Sequence, residues 1–183
     1  MGRGTLFTLS ALYFLAMATL AGADSRVEAP GSFIVKNLPW GTRLEFSDPI
    51  TLLGDEGYYL RLQNGPIPLF EPGTPFLREL NDDLPYCEIQ GNSAADENSI
   101  PVSKLDLSNV TVGMFREEPT EEAKELRLRV SSPEKIAIKF FRCHAAEKNN
   151  VEALTVRDLQ AVFGKDASGH DRLAVKLPAF QEY

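Results

Sequence analysis

In this 183-residue chain, four side chains stand out for chemistry: Cys87, Cys143, His144 and His170. Cys143 and His144 are adjacent, a pairing that in principle makes a thiol–imidazole nucleophile. On an extended strand, however, neighbours point to opposite faces, and an oxidised cysteine has no thiolate to offer. Neither histidine stands in H-E-x-x-H or another paired ligand spacing, and there is no C-x-x-C.

The carboxylates are the next candidates. Asp55-Glu56, Asp82-Asp83 and Asp96-Glu97 are acidic pairs, but none sits in the D-x-[DN]-x-[DN]-G pattern of a calcium loop. Such pairs ordinarily remain solvated loop charges. Glu79, Asp82 and Asp83 are the first candidates for glycoside cleavage, a reaction that two positioned carboxylates suffice to drive. There is no G-x-S-x-G elbow and no phosphate-cradling glycine loop. No catalytic, metal-binding or cofactor-binding residue is therefore assigned. Tyr58, Tyr59, Trp40 and Phe70 suggest an aromatic platform, although core or edge packing is the commoner use of such residues. Asn109-Val110-Thr111 is a glycosylation sequon, meaningful only in a eukaryotic secretory pathway.

The compartment follows from the amino terminus. Arg3 precedes an uncharged stretch from Gly4 to Ala23, with an apolar run from Leu6 to Leu20 and small residues at Ala21-Gly22-Ala23 before Asp24. This is the pattern of a secretory signal peptide, residues 1–23, cleaved between Ala23 and Asp24. The apolar run is shorter than a spanning helix requires and is diluted by Thr8, Ser10 and Thr19. Leu20-Ala21-Gly22 resembles the start of a lipobox, but Ala23 occupies the place of the lipidated cysteine. The expected product is an exported domain, 24–183, periplasmic or secreted, with no stable membrane anchor after cleavage. In an oxidising compartment, an even pair of cysteines is expected as a disulfide, Cys87 to Cys143.

The chain carries a formal net charge of −7, with 26 acidic against 19 basic residues. That balance argues against nucleic acid and anionic lipid as partners, since phosphate recognition needs basic patches.

The elements read as short strands. Ser32 to Val35 is extended, and Leu38-Pro39-Trp40-Gly41 suits a type I turn with Pro39 second and Gly41 fourth. Thr42 to Phe46 alternates, Asp48-Pro49 interrupts, and Ile50 to Leu53 resumes. Tyr58 to Gln63, then Asn64-Gly65, then Ile67 and Leu69 form a hairpin whose return strand, carrying Pro66 and Pro68, belongs at a sheet edge. Residues 71–84 read as a loop with one helical turn at Phe76 to Leu80. Tyr86 to Gln90 is a strand carrying Cys87, and Lys104 to Phe115 is a strand with a bulge near Ser108-Asn109. Glu117 to Glu125 reads as an acidic connector. Leu126, Leu128 and Val130 alternate with Arg127 and Arg129. Lys135 to Cys143 shows two apolar faces, Ile136, Ile138 and Phe140 opposite Phe141 and Cys143, which fits a central strand able to meet Cys87 across the core. Val156 to Phe163 is the helix, capped by Thr155 and Asp158 and stopped by Gly164. Leu173 to Leu177 is the last strand. The sum is a mainly β single domain, a small antiparallel barrel or sandwich with one short helix near the carboxyl terminus.

Several of these segments recur together in a known order. Leu38-Pro39-x-Gly41-Thr42-Arg43-Leu44, Tyr59-Leu60-x-Leu62-Gln63-Asn64-Gly65, Pro85-Tyr86-Cys87 and Ile100-Pro101 come first. Cys143 and then Leu154-Thr155-Val156-x-Asp158-Leu159 to Phe163-Gly164 follow. Over residues 33–164 this arrangement resembles an uncharacterised group of small secreted proteins of Gram-negative bacteria, from whose spacing the acidic stretch 117–125 departs. The resemblance implies a periplasmic β-rich domain with a disulfide and brings no active site. The expected role is a non-catalytic cell-envelope module of binding, accessory or inhibitor type, with an envelope protein or glycan as partner. The alternative is an envelope polysaccharide hydrolase using the loop carboxylates.

Overall fold

The computed structural model describes residues 26–53, 59–67, 80–81, 83–93, 99–118, 121–134, 136–146 and 150–179. The expected signal segment 1–23 with its Ala23–Asp24 junction lies outside them, as does the expected helical turn at 76–80 apart from Leu80. Among the described residues, nine strands form one antiparallel sheet. They are β1 (Val27–Glu28), β2 (Arg43–Leu53), β3 (Tyr59–Leu62), β4 (Pro66–Ile67), β5 (Tyr86–Ser93), β6 (Ser99–Glu118), β7 (Glu121–Ser131), β8 (Ile136–His144) and β9 (Leu173–Leu177). The order is β1-β9-β2-β6-β7-β8-β5-β3-β4, and β3 also meets β2 where Leu53 stands opposite Tyr59. That contact closes β2, β6, β7, β8, β5 and β3 into a barrel. The expected mainly β architecture is thus present, as a barrel.

Inward-facing residues follow the period of two that a strand imposes. Leu44, Leu52, Leu62, Ile89, Leu105, Leu107, Leu126 and Phe141 are buried together. Helix α1 (Val156–Phe163) adds Val156, Leu159, Val162 and Phe163 to this core. The Phe163 ring lies 5.1 Å from Phe46 and 6.1 Å from Phe141, a burial worth about 1.5–3 kcal/mol. The helix starts as its sequence dictates. The Thr155 hydroxyl accepts from the Asp158 amide at 3.2 Å, and the Asp158 carboxylate accepts from the Thr155 amide at 2.8 Å. It ends at Gly164, whose φ of +75° suits glycine, and a Cβ there would stand 2.9 Å from Asn64 carbonyl carbon. The β3–β4 turn packs against this end, and the Gly65 amide donates to Val162 carbonyl at 2.9 Å.

The hairpin turn carries positive φ at Asn64 (55°) and Gly65 (105°), and β4 is the terminal strand of the sheet, as Pro66 requires. The β6 bulge falls between Leu107 and Asn109, in the expected place. At Asp48-Pro49 strand β2 does not stop; its register against β6 shifts between Glu45 and Ile50, which accommodates the missing proline donor.

Five further expectations need correction. Residues 32–35 make no strand of the sheet; Val35–Asn37 is a 3-10 turn, held by the Val35 amide donating to Leu154 carbonyl and the Val156 amide donating to Phe33 carbonyl. The turn after Leu38 is displaced by one residue, because Thr42 amide and hydroxyl both donate to Pro39 carbonyl. Gly41, at φ +82°, therefore stands third in that turn. In the acidic stretch 117–125 the described residues, 117–118 and 121–125, are strand rather than connector, since β6 and β7 continue pairing through Met114–Lys124 to Glu118–Glu121. A ladder anchored in the core at Leu126 and Leu128 extends outward through backbone hydrogen bonds that composition does not report. Strand β8 does not present two apolar faces. Against β5 its register shifts, with Gln90 opposite Phe140 but Gly91 opposite Ile138, so Lys139 is the extra residue and Ile136 and Phe141 are both buried. Finally, Cys87 and Cys143 are bonded, but as direct cross-strand neighbours on β5 and β8 with Cα atoms 4.1 Å apart, not across the core.

Candidate functional site

The outer wall of β3, β5, β8 and β7 carries a row of charges set by register alone. Arg61 stands opposite Glu88, Glu88 opposite Arg142, and Arg142 opposite Arg127. Glu88 is 4% exposed and accepts from Arg61 Nη2 at 2.7 Å and from Arg142 Nε at 2.6 Å. Glu125, 1% exposed, accepts from Arg127 Nε at 2.5 Å, and its other oxygen lies 3.8 Å from Arg142 Nη1. His144 is buried beside them, stacked on Tyr86 at 4.3 Å, with Nε2 4.0 Å from both Glu88 and Glu125. Arg142 also covers the Phe140 ring at 4.6 Å. Two carboxylates are thus buried on what should be the wet side of a barrel, each covered by guanidinium groups. Such pairing balances a desolvation cost of several kcal/mol per ion, so it orients the arginines more than it stabilises the fold.

Gly113 makes the arrangement possible. It stands on β6 opposite Glu125, and a Cβ there would lie 2.3 Å from Arg127 Nε. Without that side chain, Arg127 lies flat over β6 and donates to Met114 carbonyl at 3.1 Å.

Strands β7 and β8 are in register at Leu126–Cys143 and Arg127–Arg142, and among the described residues the pairing goes no further toward their shared turn. There the Lys139 bulge carries β8 out of step. A groove of about 470 Å³ opens at this place. Its walls are Arg127 and Arg129 from β7, Lys139, Phe140 and Arg142 from β8, and Asn109 and Thr111 from β6, with buried Glu125 among them. Arg129 and Lys139 are exposed and form no ion pair with a described residue. Glu134 anchors the nearby β7–β8 turn to β6 by accepting from Ser103 amide at 3.0 Å, Ser103 hydroxyl at 2.6 Å and the Ser132 hydroxyl. Burial pushes the Glu134 carboxyl up, but the Ser103 and Ser132 bonds outweigh it and hold it below the usual range.

The residues singled out from sequence fare differently. Cys143 is oxidised and His144 points to the opposite, outer side, so the two form no nucleophilic pair. His170 lies in an exposed loop, where its amide donates to Asp166 at 3.0 Å. That bond, with the one from Ser168 amide, keeps the Asp166 carboxyl low. Asp83 is exposed, and Glu79, Asp82, Asp55, Glu56, Asp96 and Glu97 lie outside the described residues. Among the described residues no group of three or more His, Cys, Asp or Glu is arranged to hold a metal ion. Trp40 is 79% exposed on its turn, while Tyr58 and Phe70 lie outside the described residues. Asn109 of the sequon is exposed on the groove rim. The groove itself went unread. The outward Arg127 and Arg129 were legible from alternation, but pairing them with Lys139 and Arg142 requires the strand neighbours and the bulge.

Fold and groove define a small antiparallel β-barrel domain with a cationic cleft in its wall. No protein-family model, curated protein or solved structure matches the chain. Among the described residues no helix is long and apolar enough to cross a membrane.

Proposed function

We propose that this chain is an exported, periplasmic or secreted, non-catalytic binding module of the cell envelope, and that the β7–β8 groove takes an anionic ligand. One observation carries the reading. A chain of net charge −7 gathers Arg127, Arg129, Lys139 and Arg142 around one opening, two of them held by buried carboxylates and two left for a ligand. Prepositioned guanidinium groups lose little freedom on binding and suit planar carboxylates. The signal-like segment 1–23 and the disulfide support export. Cys143 has no thiol, and Glu88 and Glu125 are engaged by arginines, which favours binding over catalysis.

Calorimetry of residues 24–183 with polyacrylate, a plain carboxylate polymer, tests the site. Binding is expected at low salt and should weaken with ionic strength. Arg129→Glu with Lys139→Glu should reduce it at least about tenfold, since each reversal turns an attraction into a repulsion. Lys165→Glu, at a lysine paired with Asp171 elsewhere on the surface, should not. Equal losses in both variants, or no binding at all, would remove the proposal.

A further inference from the structure

We infer that the ligand of this groove is an acidic polysaccharide segment, a run of uronate-type sugars bearing carboxylates and free hydroxyls; the inference rests on the anionic-ligand reading above. Charge alone would admit any polyanion. The discriminating feature is the third wall.

Asn109 and Thr111 alternate on β6, so their side chains share the outer face, and both are exposed at the rim. They stand opposite Arg129 and Arg127 respectively, across the β6–β7 ladder. The groove therefore offers charged donors beside an amide and a hydroxyl, which both donate and accept. A uronate sugar displays the matching set, one carboxylate and several hydroxyls, within a single ring. A carboxylate without hydroxyls would use the arginines and leave the Asn109 and Thr111 side chains in water.

The second feature is length. A further opening of about 460 Å³ is lined by Val130 to Ser132 of β7 and its turn, by Glu134, whose carboxylate is engaged by Ser103 and Ser132, and by Ile136 to Ile138 of β8. These are the residues that continue the same two strands beyond the cationic groove. A ligand can thus run along the strands, which suits a chain better than a compact anion. Arg129 and Lys139 stand on opposite walls and would take carboxylates of the chain as it passes.

Calorimetry with polygalacturonate oligomers, the same oligomers with their carboxyls reduced, and polyglutamate tests this. Residues 24–183 should bind polygalacturonate and lose that binding with the carboxyl-reduced chain. Asn109→Ala with Thr111→Ala should weaken polygalacturonate about tenfold, the loss of one or two hydrogen bonds, and leave polyglutamate unchanged. Both positions are exposed, so this variant keeps the fold, and amide proton shifts confined to the groove would show it. Equal affinity for polyglutamate, with no effect of the double variant on either polymer, would overturn the sugar assignment while leaving the anionic site standing. Absence of binding to every polyanion, polyacrylate included, would overturn both.

Discussion

Strand β8 belongs to two seams built on different terms. Toward β5 it is paired from Tyr86–His144 to Ser93–Ile136 and is covalently joined by Cys87–Cys143. Toward β7 it is in register at Leu126–Cys143 and Arg127–Arg142, and the groove begins where that pairing stops. One edge of the strand is fastened and the other is decorated. The fastened seam lets the other remain open, because β8 cannot drift toward β7 to cover its charges. Packing teaches the same point from the inside, where Phe141 and Cys143 are in the core while Arg142 and His144 serve the outer wall.

Breaking the fastened seam should have the largest effect. Cys87 and Cys143 are 56 residues apart in sequence, and replacing both with alanine should cost about 4 kcal/mol of stability in urea titration. A loss under about 1 kcal/mol would show that the β5–β8 ladder holds without the bond, against the chain-entropy expectation. The charged row comes next. Glu88→Gln removes the carboxylate shared by Arg61 and Arg142, whose side chains are 30% and 35% exposed. Because both guanidinium groups retain some water, the cost should fall below that of a fully buried pair, at about 2 kcal/mol. Unchanged stability would make the row ornamental.

The smallest effect is expected at the turn that ends the open seam. The Glu134 carboxyl sits low when folded, so its contribution is present at pH values above the ordinary glutamate range and is lost as the pH falls through its folded value. The group is largely solvated, which limits the contribution to well under ~1 kcal/mol. Glu134→Gln should flatten the acid limb of the stability profile by that amount and leave neutral-pH behaviour of the fastened seam untouched. An acid limb identical in both proteins would contradict the assignment.

Much of the fold was legible in advance, and the legible parts share a property. The Thr155–Asp158 capping box, the Gly164 stop, the Asn64-Gly65 turn and the bulge beside Ser108 are each specified within a few residues. Alternation in Leu126 to Val130 likewise declared which side of β7 faces the core. The failures were of another kind. The acidic stretch 117–125 reads as a loop by composition, yet the β6–β7 ladder carries its described residues as strand. The apolar pattern of β8 reads as two faces because an extra residue at Lys139 resets its phase. The candidate site was missed for a related reason: its residues come from three consecutive strands, and cross-strand register together with the extra residue at Lys139 decides which of them share the opening.

The sequence by itself determined the local punctuation: the helix and both its ends, most strand segments, the β3–β4 turn and the two cysteines available to join. It did so because short-range hydrogen bonds, positive-φ positions and alternation act between neighbours in the chain. Tertiary structure alone decided that Cys87 and Cys143 face each other on adjacent strands. It also decided that Gly113 yields its space to Arg127 and that Arg129 meets Lys139 across an opening. Those outcomes depend on register between paired strands, remote in sequence for β5 and β8 and consecutive for β6, β7 and β8, and a shift of one residue would turn each of these side chains to the other face.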